Sequence, residues 1–191
     1  MDDDCAFRRR DSLYFAGHWW HGGDLRREYE CRRAHGFDVD LLEHDALTAV
    51  SSIRAACAIR SRGDAEIDPF RFTASLLKKA RERGLDAYAR TPVLEVIERA
   101  DDVVAVTEHH TVHCKFLIFA TGYESKPYLP DNTGDLQSTY AVTSAPMPCP
   151  AGWPDECLLW ESSRPYFYGR RTVDGRCMIG GEDTAVRSTT P

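Results

Sequence analysis

The chain has 191 residues, of which 42% are hydrophobic and 28% are charged, and this composition is typical of a folded protein. It excludes a mainly disordered chain, a collagen and a coiled coil, and no apolar run in the sequence is long enough to span a membrane. The formal net charge of -6 argues against nucleic acid or an anionic membrane as the main partner, because phosphate binding needs a surplus of Lys and Arg.

The cysteines and the first residues predict a cytoplasmic protein with reduced thiols. Seven cysteines are present, an odd number, and no two of them are spaced as CxxC. The start, MDDDCAFRRR, has no apolar stretch behind it and is not a secretory signal. Residues with strand composition follow directly after the charged start, and the sequence ends without a closing helix or strand. We therefore expect the chain to be a piece of a larger protein.

The first third of the chain predicts a strand, two helices and a second strand. Asp24 is a suitable cap for the first helix, and Gly36 suits its left-handed stop. The predicted segments are a strand at 12–16, a helix at 24–34, a short helix near 41–48 and a strand at 55–59.

The clearest predicted element is a helix that begins at Pro69 and ends before Gly84. Asp68 can accept hydrogen bonds from the free N–H groups of the first turn, and the N–H that Pro69 lacks would have had no partner there. Apolar residues recur at every fourth position, so this helix has one apolar face.

After Gly84 the apolar pattern changes to a period of two, which is typical of strands. The predicted strands are a short one at 85–89 and a three-stranded meander at 93–97, 103–106 and 111–113. His109, His110 and His113 lie near one turn of this meander, and we interpret them as a solvated hairpin tip rather than a metal site.

Residues 116–119 are apolar at every position, which is the pattern of a strand buried on both faces of a parallel sheet. This segment leads directly into Ala120, Thr121 and Gly122. A small residue, a hydroxyl and a glycine at the end of a buried strand let a ligand approach the backbone closely. The alternative is a plain turn from strand to loop.

The last third predicts an antiparallel sheet. Asp174-Gly175 is a hairpin signal between the last two strands, and Trp153 and Trp160 are predicted to belong to the core of this sheet. Gly180-Gly181 is not a phosphate loop, because no helix with Lys and Ser or Thr follows it. The predicted strands are 139–144, 157–161, 165–170 and 176–180.

Two long stretches carry a family resemblance. The first is DPFRFTASLLKKARERGLDAYARTPVLEVI with the meander and KFLIFATGY, and the second is RPYFYGRRTVDGRCMIGGED. Together they resemble the middle and the substrate-domain hairpin of the FAD-dependent oxidoreductases related to D-amino-acid oxidase, glycine oxidase and sarcosine oxidase. The resemblance covers nearly the whole chain.

The resemblance implies a mixed α/β fold. It would combine a partial FAD-binding, Rossmann-like layer and its β-meander with a largely antiparallel substrate-domain sheet. On this basis residues 1–67 and 131–191 are expected to form the substrate domain, and residues 68–130 part of the FAD-binding domain.

The resemblance also implies roles for individual residues, with FAD as the cofactor. The backbone of Val93 would meet the adenine edge, and Ala120, Thr121 and Gly122 would lie near the adenosine and the diphosphate. The resemblance implies no catalytic acid or base, and we assign none.

On the substrate side, the resemblance places an aromatic strand and its arginine over the reactive face of the flavin. Tyr166, Tyr168 and Arg170 are therefore the candidates for the substrate pocket, and an arginine there could pair with a substrate carboxylate. Arg171 would point to the other sheet face, because side chains alternate along a strand.

The sequence departs from the family where the family's GxGxxG loop would stand. No two of the 13 glycines lie two residues apart, so the chain has no GxG, and the closing segment of the family is also missing. We therefore expect a fragment of an FAD-dependent oxidoreductase that oxidises a small amine or amino acid by hydride transfer to flavin and is inactive alone.

The alternative is a truncated or degenerate domain that does not hold FAD and instead binds a partner or self-associates through exposed apolar surface. A third hypothesis, an NAD-binding domain, is weaker because it needs the same missing glycines.

Overall fold

The structure, a computed structural model, describes residues 4–129 and 136–185. The chain divides into two compact units, one formed by residues 1–75 with 137–191 and the other by residues 76–136. We call them the sheet unit and the meander unit. The first contains a seven-stranded mixed sheet and the second an antiparallel three-stranded sheet, so the predicted mixed α/β fold class is confirmed.

The regular elements follow one another in a simple order along the chain. They are β1 (Arg8–Phe15), α1 (Gly22–Ala34), β2 (Val39–Glu43), α2 (His44–Val50), β3 (Cys57–Glu66), α3 (Pro69–Glu82), β4 (Val93–Glu98), β5 (Val103–Thr107), β6 (Thr111–Cys114), β7 (Gln137–Thr143), β8 (Leu158–Glu161), β9 (Phe167–Arg171) and β10 (Cys177–Ala185). No helix among the described residues has the length and apolar character needed to cross a membrane.

The sheet unit has the strand order β2-β3-β1-β8-β9-β10-β7. The contact between β1 and β8 is parallel, and all other neighbours are antiparallel. Tyr14 lies next to Trp160, Trp160 opposite Tyr168, and Tyr168 opposite Gly180. Because residues that pair directly point to the same face of a sheet, these four form a row across one face of the sheet.

The core of the sheet unit lies where α1 and α2 pack against β2 and β3. Leu13, Leu25, Leu47 and Ile59 are fully buried there, and burial of each side chain stabilises the unit by about 1.5–3 kcal/mol. Trp153 packs against this cluster and donates from Nε1 to the carbonyl of Cys157 at 2.7 Å, so its predicted place in the core is confirmed.

The meander unit contains the predicted three strands, β4, β5 and β6, paired in that order. Val104 and Ala105 of the central strand are both buried, although neighbouring residues of a strand point to opposite faces, so β5 is covered on both faces at this point. His113 lies on β6, where its Nδ1 is 2.6 Å from the carboxylate of Asp102. Within residues 4–129 and 136–185, no three His, Cys, Asp or Glu side chains form a group that could hold a metal ion.

Three predicted elements differ from the structure. The segment 116–119 is not a strand, and Phe116 and Ile118 are 86% and 84% exposed. A buried parallel strand needs hydrogen-bonded neighbours, and neither sheet of the described residues includes this segment. The short strand predicted at 85–89 does not form either. The helix predicted near 41–48 begins only at His44, because the preceding residues pair with β3 as strand β2.

The four predicted strands of the last third form as β7, β8, β9 and β10, although the bounds shift by up to five residues. The expectation that Trp160 belongs to the core of this sheet is wrong, because its side chain is 45% exposed on the open face of the sheet. The seven cysteines are all free thiols in the structure.

Candidate functional site

The turn predicted to lie near the cofactor is exposed in the meander unit. Ala120, Thr121 and Gly122 follow the apolar segment, and a short 3-10 helix begins at Gly122. The Thr121 hydroxyl lies 2.8 Å from that of Ser125, and the Thr121 carbonyl accepts a hydrogen bond from the N–H of Glu124 at 3.3 Å. These two bonds fix the turn.

Gly122 has a left-handed backbone, with φ at +59°, and no atom outside its chain neighbours lies within 4 Å of the position that a Cβ would take. A side chain here would be strained but would not collide with the protein. The open space at this glycine allows a flat ligand to approach the backbone.

Val93 begins β4, which is an edge strand of the three-stranded sheet. An edge strand presents backbone N–H and C=O groups that no neighbouring strand covers. The side chain of Val93 is 51% exposed, so this end of the strand is accessible. These features fit a strand edge that pairs with a planar heterocycle such as adenine.

The residues of the meander unit therefore fit the adenosine side of a dinucleotide. They do not supply a diphosphate loop, since the 191-residue sequence contains no GxG. For the diphosphate, the N–H groups of a glycine-rich loop at a helix start are the usual ligands.

On the substrate side, the sheet unit contains an open cavity of about 1000 Å³. Its floor is the sheet face that carries Tyr14 and Trp160, and one wall is the C-terminal half of α1. Tyr166 lies at its edge, in the segment that connects β8 to β9. This volume is at the upper end of the range for small-molecule sites.

Tyr166 and Tyr168 lie together, with ring centroids 6.2 Å apart, and Tyr168 is 6.4 Å from the ring of Trp160. Two adjacent glycines make this arrangement possible. A Cβ on Gly180 would lie 2.3 Å from the ring of Tyr168, and a Cβ on Gly181 would lie 1.9 Å from the carbonyl oxygen of Tyr166. Both distances are well below the separation at which a Cβ and a neighbouring heavy atom can pack, so a side chain at either glycine would collide with the tyrosine.

The structure does not place Arg170 in the same cavity as Tyr166. Arg170 borders a second cavity of about 580 Å³, and its Nη1 is 3.7 Å from a carboxylate oxygen of Glu66. Glu66 is 5% exposed at its side chain and accepts a hydrogen bond from Nε of Arg10 at 2.9 Å. Burial lowers the pKa of Arg10, but the bond to Glu66 and the charges of Glu66 and Glu156 outweigh it, so the pKa is raised overall.

Arg171 lies on the opposite face of β9 from Arg170, in agreement with the alternation along the strand. Its guanidinium donates to the carbonyl of Met147 at 2.9 Å and to Sγ of Cys177 at 3.3 Å. Arg171 therefore links β9 by hydrogen bonds to β10 and to the loop that contains Met147.

Sequence reasoning missed several residues of the first cavity. Ser163 lies in a short connection without any motif, and Arg164 begins the second stretch that carries the family resemblance but was given no role there. Tyr14 and Trp160 have the composition of ordinary strand residues, and only the register of β1 and β8 brings them side by side. The sequence did contain one signal for this region, the adjacent glycines Gly180 and Gly181. Two glycines on a strand that pairs with an aromatic strand indicate that the aromatic side chains occupy the space next to the glycine backbone.

Comparisons with solved structures identify similar folds. Glycine oxidase from Geobacillus kaustophilus superposes with a TM-score of 0.79 at 20% identity, over 97% of this chain and 50% of that one. Glycine oxidase from Bacillus cereus gives 0.76 at 17% identity, over 95% and 50% of the two chains. L-proline dehydrogenase from P. horikoshii gives 0.71 at 16% identity, over 91% and 49%. The chain thus spans about half the length of these structures.

None of the curated proteins compared with the chain is significantly similar to it. A family model does match, the one described as FAD dependent oxidoreductase (DAO), and it covers residues 1–191. FAD is the cofactor that defines this family. The predicted resemblance is therefore confirmed, and the chain belongs to the DAO family of FAD-dependent oxidoreductases.

Proposed function

We propose that this chain is part of an enzyme that oxidises an amine or an amino acid by hydride transfer to FAD. The observation that carries the proposal is the cavity of the sheet unit, where Tyr14, Trp160 and Tyr166 line a space of ligand size. Family membership supports the same chemistry, and so do the glycine oxidases and the proline dehydrogenase among the similar folds.

In this proposal the meander unit contacts the adenosine side of the cofactor. The free edge of β4 at Val93 pairs with the adenine, and the turn Ala120-Thr121-Gly122 lies against the adenosine and the diphosphate. FAD, when bound, accepts the hydride and supplies the redox chemistry. The diphosphate loop comes from residues outside this sequence.

The sheet unit binds and orients the substrate. Tyr166 lines the cavity, and Tyr168, which is not among the lining residues, lies behind it with the two ring centroids 6.2 Å apart. Tyr168 and Arg170 stay predicted substrate contacts, although Glu66 already lies beside Arg170. Bound FAD would take the hydride from the carbon next to the nitrogen, and the nitrogen would lose a proton to water. Water would then hydrolyse the imine to a carbonyl compound and ammonia or an amine.

The proposal assigns the substrate domain to residues 1–67 and 131–191 and the cofactor-binding part to residues 68–130. Residues 1–3, 130–135 and 186–191 lie outside the described residues, and no role is assigned to them.

Uptake of FAD by the purified chain tests the cofactor side. We expect FAD to bind weakly in equilibrium dialysis and AMP to compete with it, because only the adenosine side of the site is present. Gly122→Val should reduce FAD binding. Gly84→Val is the matched control, since Gly84 also has positive φ and no atom near its Cβ position. A chain that takes up no FAD would show that its residues do not hold the cofactor.

Transfer of the hydride tests the reaction. The FAD-loaded chain is mixed with glycine, proline or a larger amino acid in the absence of oxygen, and the visible flavin absorbance is followed. Loss of this absorbance with an amino acid, but not with the corresponding carboxylic acid without the amine, is the expected result. Equal loss with both compounds would contradict oxidation next to nitrogen.

One observation favours the alternative that the chain binds a partner or a second copy without FAD. Phe116 and Ile118 are almost fully exposed in the meander unit, and apolar side chains in such positions favour association. Light scattering after size-exclusion chromatography distinguishes the two functions, because the alternative requires a dimer or larger species without flavin.

A further inference from the structure

We infer that His18 and His21 of the sheet unit together bind a divalent transition-metal ion of the zinc type. The two histidines are the ends of the sequence His-Trp-Trp-His, which follows β1. Imidazole nitrogen is a common ligand of Zn²⁺, Cu²⁺ and Ni²⁺ in proteins. Neither histidine lines the cavity of the proposed function, and the binding needs no flavin, so the inference does not depend on that function.

The local backbone places the two imidazoles side by side. Trp19–His21 form a 3-10 turn, in which the N–H of His21 donates to the carbonyl of His18 at 3.0 Å. A 3-10 helix has three residues per turn, so side chains three positions apart lie one above the other. The spacing of the two histidines in the sequence is therefore the spacing that this turn needs to bring them together.

The separation of the two rings fits one shared ion. The ring centroids of His18 and His21 are 5.1 Å apart, and the ring planes are inclined by 69°. Two imidazoles that bind one tetrahedral ion through nitrogen atoms at about 2.0–2.1 Å have ring centroids roughly 5 Å apart. The two rings already have this separation, so binding needs at most a rotation of the rings.

Neighbouring side chains orient both rings. The ring of His18 stacks on that of Trp20, with centroids 4.5 Å apart and planes inclined by 13°. Nδ1 of His21 lies 3.2 Å from Oγ of Ser162, which accepts the N–H of Gly17 at 3.2 Å. A histidine that binds a metal usually donates its second ring N–H to an oxygen, which fixes its tautomer and orientation. Ser162 can supply this oxygen, and Nε2 of His21 is then left for the metal.

The alternative is a plain cluster of aromatic rings. Such clusters stabilise a protein chiefly by burying their surface. Trp20 is 75% exposed and Trp19 62%, and His18 is exposed as well. These rings gain little from burial, whereas their exposure leaves room for an ion and its water ligands. The exposure therefore favours a binding site.

Water completes the coordination. No third His, Cys, Asp or Glu side chain forms a metal-holding group with the two histidines in the part of the chain that the structure describes. Structural zinc sites have four protein ligands and are closed, so a site with two protein ligands binds its ion less tightly and reversibly. The ion would keep open positions that water or another small ligand can occupy.

Titration of the reduced 191-residue chain with Zn²⁺, without FAD, tests the inference. The seven free cysteines can also bind Zn²⁺, so the measurement must report on the histidines themselves. Long-range correlation spectra of the imidazole protons and nitrogens do this. We expect the ring nitrogens of His18 and His21 to shift together and to saturate at one Zn²⁺ per histidine pair.

Variants assign the ion to these residues. His18→Ala and His21→Ala should each weaken the binding, followed at the remaining histidine, by at least about ten-fold, and Ser162→Ala by about ten-fold. Ser162→Thr keeps the hydroxyl and should restore the affinity. His35→Ala is the matched control, because His35 is also exposed and lies beside the thiol of Cys31, where a competing site would form.

Circular dichroism shows whether each variant is folded. His18→Gln and His21→Gln, which keep a polar side chain of similar size, replace an alanine variant that is not folded. The inference is overturned if Zn²⁺ shifts neither His18 nor His21, or if only one of the two responds. It is also overturned if His18→Ala binds Zn²⁺ as tightly as His35→Ala does. Zn²⁺ binding at the pair without any uptake of FAD would support the metal site and contradict the proposed function.

Discussion

Replacement of Gly181 by alanine should displace Tyr166 and destabilise the sheet unit strongly. Gly181 has φ at +136°, in a region that is almost restricted to glycine, and a Cβ there would lie 1.9 Å from the carbonyl oxygen of Tyr166. That carbonyl accepts the N–H of Glu182 at 3.2 Å, so the contact is part of the backbone structure. The strained φ costs about 1–3 kcal/mol and the lost hydrogen bond about 1 kcal/mol. We therefore expect Gly181→Ala to lower the free energy of unfolding by roughly 3 kcal/mol.

Gly175→Ala is the matched control for this prediction. Gly175 also has positive φ, at +80°, but the nearest atom to its Cβ position is 3.6 Å away, in the guanidinium of Arg171. It should lose only about 1 kcal/mol, from backbone strain alone. Urea denaturation followed by far-UV circular dichroism measures both variants. If the two variants lose the same free energy, the close approach of Gly181 and Tyr166 does not contribute to stability and the reasoning is refuted.

Three further predictions concern buried groups of the sheet unit. Glu66→Gln should destabilise the unit by about 3 kcal/mol in urea denaturation, because Glu66 is buried beside Arg10 and Arg170, whereas the exposed Asp40→Asn should lose less than about 1 kcal/mol. Ile59→Ala should lose about 2–5 kcal/mol in the same assay, and Ile53→Ala, which is only half-buried, clearly less. Burial raises the pKa of the Cys157 thiol from 9.0 to about 11. The thiol stays protonated longer in the folded protein, so stability should fall by roughly 2 kcal/mol as pH rises from 9 to 11. This fall should be smaller in Cys157→Ala.

The sequence predicted the helices and strands that depend on residues close together in the chain. The meander over 93–114 has alternating apolar residues and short turns, and the helix after Asp68 has its cap and its periodicity within 15 residues. These features depend only on near neighbours in the chain, so the sequence alone was sufficient.

The elements that were missed depend on distant partners. Residues 116–119 have the composition of a buried strand, yet a strand forms only where a neighbour supplies hydrogen bonds, and no pattern within the segment shows whether one is there. In the same way, Trp160 has the composition of a core residue. Its position on the open face is determined by pairing with β1, about 145 residues earlier in the chain.

The candidate site was predictable only in part. Tyr166 was found through the family resemblance, and the structure gives it a place on the cavity. Ser163 has no sequence signal of its own, and Arg164 lies in the stretch with the family resemblance, where nothing in the sequence gives it a role. Their place on the cavity depends on how distant segments of the chain come together in three dimensions.

The parallel contact between β1 and β8 has a consequence for synthesis on the ribosome. Ser12 pairs with Leu158, so the seven-stranded sheet joins two strands that lie roughly 146 residues apart along the chain. Until β8 has been translated, one edge of β1 remains without a neighbour and can pair with any other nascent strand. A ribosome that stalls after α3 should therefore release aggregation-prone chains, while the meander unit, whose strands are contiguous, can complete its hydrogen bonds during translation.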